Sequence, residues 1–132
     1  MTLKLKQVLT AAFICLGLSA AGAQAAPCMK DNGDIQTANG KLEIGSFKDA
    51  AGRKETAFIL TVQAPVCMDS DDADMRVKET RQIHVYSSQA ALHKQLAGLK
   101  GRTVTVRGKV FGGHTSHHHA PIVMDVSKID KH

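Results

Sequence analysis

The chain has 132 residues, a formal net charge of +5, one tyrosine, four phenylalanines and no tryptophan. That length holds one compact core and not two, and so few aromatics count against the basic groove with stacking platforms that single-stranded nucleic acid requires. The charge identifies no partner, because Lys4 and Lys6 of the N-terminal segment account for two units of the net +5 and the remainder favours only solubility and weak attraction to anionic polymers.

Residues 1–7 carry those two lysines and lead into the apolar stretch 8–23, then Ala23-Gln24-Ala25 and Ala26-Pro27. A basic start, an apolar run and an A-x-A pattern predict a signal peptide over 1–25. The remaining 26–132 is expected to be a single exported domain, periplasmic in a bacterium with two membranes and secreted where there is no outer membrane. Neither Cys15 nor Cys28 has the small-residue context of a lipoprotein anchor, and no later stretch is long and apolar enough to span a bilayer. Removal of the leader takes Cys15 with it and leaves Cys28 and Cys67 in an oxidising compartment, which points to one disulfide. Closing a loop of that size stabilises a fold by about 4 kcal/mol in the chain-entropy account. A competing reading makes both cysteines thiolate metal ligands beside Met29 and Met68, although methionine ordinarily fills core gaps.

Residues 27–40 are rich in Asn, Asp and Gly without a sustained period, and read as an irregular arm. Alternation then predicts a strand over 41–47, with Leu42 and Ile44 on one face, and another over 56–63, with Phe58, Leu60 and Val62 in phase. Asp49-Ala50-Ala51-Gly52 supplies turn chemistry between them, so the two form a hairpin. Ala64-Pro65 should end the second strand, since proline cannot donate to a ladder. Asp69, Asp71, Asp72 and Asp74 mark a solvent loop; it lacks the glycine and distal glutamate of an EF-hand. A third strand is predicted over 80–86, with Ile83 and Val85 on one side and His84 and Tyr86 on the other. Ser87 or Ser88 then caps a short helix with Leu92, Leu96 and Leu99 at helical spacing. Strands over 102–111 and 122–129 complete the chain. This order predicts a mostly β fold, a small five-stranded OB-like barrel with one short helix between strands 3 and 4, and its last inter-strand loop beside the usual ligand face. A small sheet with one packed helix in another topology is the alternative.

That last loop is His114-Thr115-Ser116-His117-His118-His119-Ala120-Pro121. Imidazole is the commonest protein metal ligand and titrates nearest neutral pH. In an extended stretch His117 and His119 point to one side and His118 to the other, while a tight turn would bring His114 close to His117. Three ligands, His114, His117 and His119, are therefore the candidate metal set for zinc, copper or nickel, with His118 the outlier. A fourth would have to come from residues 69–74, Asp125 or His84. The competing reading has the same rings hydrogen-bond loop carbonyls and carboxylates and so fix a turn, with Thr115 and Ser116 contributing side-chain-to-backbone bonds. A proton-sensing role is the third. His84 beside Tyr86 is a candidate for lining a binding face, and His93 reads as a surface residue of the helix.

The block from Gly101-Arg102-Thr103-Val104-Thr105-Val106-Arg107-Gly108-Lys109-Val110-Phe111 through the histidine loop resembles a family of small exported bacterial proteins known as domain of unknown function 4431. The family pattern is G-[KR]-x-V-x-[LV]-x-G-x-[LV]-F, two residues, HT-x-HHH and an apolar strand. The resemblance extends through Arg81-Gln82-Ile83-His84-Val85 and, more loosely, to the segment ending in Cys67. It implies an OB-like module of the cell envelope, with Cys28 and Cys67 matching the family's pair of cysteines, and no established activity. The acidic run at 69–74 is a departure from the family.

These readings converge on a non-enzymatic envelope binding module whose histidine loop holds a divalent metal or contacts a small ligand. The alternative is a protein-interaction or inhibitor-type module in which the loop is a rigid recognition element. A third reading, a metal-dependent hydrolase, lacks a nucleophile motif or a second acid–base pair. The expected partner is an envelope protein or small ligand and not nucleic acid, and the chain is expected to be a monomer.

Overall fold

The structure, a computed structural model, describes Gly17 and residues 27–131; the leader predicted over 1–25 otherwise lies outside the described residues. Among the described residues six strands and one α-helix follow in order: β1 (Met29–Lys30), β2 (Gln36–Lys48), β3 (Lys54–Asp69), β4 (Val77–Tyr86), α1 (Ala90–Ala97), β5 (Thr103–Gly112) and β6 (Ile122–Lys131). Strands β2 to β6 close on themselves in the order β2-β3-β4-β6-β5, with β2–β5 as the closing pair. Every barrel pairing is antiparallel except β4–β6. This is the OB-type connectivity predicted from the alternation of the sequence. The helix follows the third barrel strand, which is β4 once the short β1 is counted.

Period-two alternation decides what fills the barrel. Leu42, Leu60, Ile83, Val85, Val106 and Met124 point inward and are completely buried. The helix adds Leu96, and Leu99 follows it into the same core. Ile44 and Leu92, which share the periodicity, are only partly buried. β1 lies beside β3 in parallel, with Met29 opposite Met68. Both methionines join the core, and Cys28 and Cys67 form a disulfide that ties this strand down. Bonded to each other, the two sulfurs are not thiolate ligands.

Three expectations are corrected. The segment 27–40 is not an irregular arm throughout, because β1 occupies two of its residues and β2 begins at Gln36. Residues 36–41 find a hydrogen-bonding partner in β5, a long-range pairing that overrides weak local propensity. Pro65 does not end β3, which continues to Asp69; the ladder with β4 shifts register between Thr61 and Val66, so proline sits at an irregularity that tolerates its missing N–H. The helix cap falls at Gln89, without a side-chain bond. Ser87 instead donates its hydroxyl to Val126 O and accepts from Gln89 N–H.

The barrel also carries a second, smaller apolar layer. Ala57 and Ile59 alternate with the inward Phe58 and Leu60 and face outward from β3, where they pack with Ala120 and Phe47. Ala120 belongs to the connection between β5 and β6. That connection therefore folds back over the outer face of the barrel, and this brings the histidines onto β3 and β4.

Candidate functional site

Two connections build the site. In the β2–β3 turn, Asp49 accepts hydrogen bonds from Ala51 N–H and Arg53 N–H, both at 2.9 Å, and Gly52 supplies a positive φ of 77°. The backbone bond from Arg53 is the main reason the Asp49 carboxyl is held below its ordinary range. This turn fixes a register in which Phe47 lies opposite Glu55. In the β5–β6 connection, Gly113 N–H donates to Pro121 O at 2.8 Å and His118 N–H to Thr115 O at 3.0 Å, which closes the loop.

The imidazoles supply the rest of that closure. Nδ1 of His118 accepts from His114 N–H at 3.0 Å and Thr115 N–H at 3.3 Å. A neutral ring whose Nδ1 accepts must carry its proton on Nε2, so His118 acts as a backbone brace. His114 Nδ1 lies 2.9 Å from Gly112 O, to which it donates. Thr115 Oγ1 accepts from His117 N–H at 3.3 Å. His114 thus lies against His118, with ring centroids 4.7 Å apart, and not beside His117 as a tight turn was expected to place it.

His117, inside the turn that the Thr115–His118 bond closes, and His119, beyond it, both meet Glu55, so a turn and not an extended stretch brings the two rings together. His117 Nδ1 is 2.7 Å from Oε2, and His119 Nε2 bonds the other oxygen, Oε1. These bonds, His117's first, hold the Glu55 carboxyl below its ordinary range. The His119 ring, 9% exposed, stacks on Phe47 at 4.2 Å and 7° and on His84 at 5.8 Å and 23°. Its backbone N–H donates to His84 Nδ1 at 3.1 Å. Burial, reinforced by the neighbouring His119 and His118, pushes the His84 pKa down to about 4. Burial also lowers the His118 pKa and raises that of Tyr86, where Asp125 adds to the effect.

Of the suggested fourth ligands, His84 is brought to the loop. Asp125 is engaged by Ser88, through its backbone N–H at 3.0 Å and its hydroxyl at 3.1 Å. Residues 69–74 lie at the β3–β4 connection, where Ser70 bonds Asp31. Among the described residues no group of three or more His, Cys, Asp or Glu side chains is arranged to hold a metal ion. Glu55 and Phe47 were missed by sequence reasoning. Their signal was the hairpin register that the Asp49 turn dictates, which places an aromatic and an acid as cross-strand neighbours.

No curated protein and no solved structure matches the chain. Residues 82–130, from β4 through the histidine loop into β6, match the model of the family described as domain of unknown function (DUF4431).

Proposed function

We propose that the chain is an exported, non-enzymatic binding module of the cell envelope, in which the histidine loop is a rigid recognition element laid over the outer face of an OB-type barrel. One observation carries this reading: the four imidazoles spend ring nitrogens on holding the loop itself, through Glu55, the Gly112 carbonyl and the His114 and Thr115 amides. A loop ordered in this way loses little conformational entropy when a partner binds, and preorganisation improves affinity by reducing that cost. The disulfide supports export, because such bonds persist in oxidising compartments.

A second reading, a bound zinc, copper or nickel ion, is favoured by a different feature. His114 and His117 each direct Nδ1 at an oxygen, which is how metal-ligating histidines are commonly oriented, and this leaves Nε2 of each for a ligand. Calorimetric titration of the untagged protein with each metal, repeated on His117→Ala/His119→Ala, separates the two. The recognition reading expects no stoichiometric uptake and a lower Tm for the double variant. Stoichiometric binding that disappears with the substitutions would put the metal reading in its place.

A further inference from the structure

Beside the loop, a cleft of about 90 Å³ opens between the residues that precede Leu60 on β3, the end of β4 and the helix, and is lined from both faces of the two strands. Its lining includes Ala57, Phe58, His84, Tyr86 and His93, with the His93 ring edge-on to Phe58 at 5.2 Å. The volume is roughly that of three water molecules at ~30 Å³ each. It suits a single small functional group.

His84 sets the chemistry. Only 9% of the residue is exposed, and its Nδ1 accepts the His119 backbone N–H. The proton of the neutral ring is therefore on Nε2. That N–H makes no hydrogen bond to the described residues, and none of their buried side-chain polar atoms lacks a partner, so Nε2 is not sealed in the interior, and the cleft is the opening that His84 lines. The same bond rules out His84 as a metal ligand here, because a protonated Nε2 has no lone pair to give. The Tyr86 hydroxyl, also without a hydrogen bond to the described residues, can both donate and accept.

The surrounding charge argues for a neutral ligand. No lysine or arginine lines the cleft. Glu55 acts electrostatically on His84 and Asp125 on Tyr86, so an anion would meet two carboxylate fields. A group that accepts from His84, exchanges a hydrogen bond with Tyr86 and rests an apolar end on Ala57 and Phe58 has the make-up of an amide.

We infer that this cleft is a subsite for a neutral amide, an acetamido group of a small sugar or a peptide unit, with His84 Nε2–H as the donor to its carbonyl. The inference gives the ligand's chemistry to the binding reading and rests on it. Independence from metal makes the two separable by experiment.

The test is NMR titration of the purified protein, following the His84 ring nitrogens and the Tyr86 ring protons. The probes are acetamide, N-acetylglucosamine and N-acetylalanine methylamide, with acetate and glucose as comparators. Saturable shifts from acetamide, weaker or absent for acetate and glucose, are expected. The stronger of the other two amides then identifies the source. Tyr86→Phe, which removes one partly exposed hydroxyl, should weaken acetamide binding about three- to tenfold, and His84→Phe should abolish the response. Acetate binding as well as acetamide would overturn the inference while leaving a ligand site at this cleft. Absence of saturable shifts from every probe in the folded protein would overturn it together with this cleft as a binding surface.

Discussion

Glu55 meets His117 with one carboxylate oxygen and His119 with the other, and so ties two ring positions of the loop to one strand. Glu55→Ala leaves the barrel core untouched and removes both attachments. Amide exchange at His117 and His119 should accelerate by about tenfold or more while that of Leu60 is unchanged, because local opening is independent of global unfolding. Titration gives a second check. The Glu55 carboxyl is lowered in the folded state, so its stabilisation is complete above the ordinary carboxylate range and is lost as pH falls through the lowered value. His84 acts in the same direction over a wider window. Its folded pKa of about 4 lies below the ordinary 6.5, so the unfolded chain takes up a proton first. Stability should be full above about pH 6.5 and should decline by ~3 kcal/mol as pH falls to about 4. Urea unfolding of wild type and His84→Phe across that range checks this. The variant, with no ring to protonate at this position, should keep only the shallower dependence due to His118 and the carboxylates.

The hairpins show which parts of the architecture could be read from local sequence. Alternation grouped Leu42, Leu60, Ile83 and Val85 each on one face of its strand, and those faces fill the barrel, because a strand with one buried face has no other way to arrange them. The start of β2 was not legible. Residues 36–40 are a strand only because β5 lies beside them, and that pairing joins positions as far apart as Gln36 and Gly108. The loop was half legible: His117 and His119 were grouped together, but a turn and not the extended stretch that was expected brings them to the same carboxylate, and Glu55 entered through a register set elsewhere. The close approach at Gly113 belongs to this scale. A Cβ there would lie 2.6 Å from Ala120 O, where the loop returns to the barrel. Gly113→Ala should cost about 1–3 kcal/mol by thermal or urea unfolding, as overpacking typically does, and should shift the loop's histidine signals in NMR spectra.

For the molecule as a whole, the matched family segment and the folding unit are different lengths of chain. Residues 82–130 contain the last part of β4, the helix, β5 and all of β6 but its final residue, yet Leu42 and Leu60, both fully buried, come from outside them. Barrel closure needs β2 against β5 and β3 against β4, so the matched segment alone would leave two open edges. The Cys28–Cys67 disulfide reaches across the other half and closes a loop of sequence separation 39. Its removal in Cys28→Ser/Cys67→Ser should lower stability by about 4 kcal/mol, read as a reduced urea midpoint, with the Met29–Met68 pairing the first to fray.

The far end of the β2–β3 hairpin carries a mechanical consequence. Beyond Glu43, β2 pairs with β3 alone, and residues 54–57 of β3 pair with β2 alone, so the hairpin tip projects past the ring of strands. The histidine loop folds back over the outer face beside it, and Phe47 and Glu55 join the two. Each is the other's buttress. A single proteolytic nick at Ala50 or Ala51 would therefore release a loop more than sixty residues further along the chain, and damage to either overhang would be felt in both while the barrel between them stayed whole.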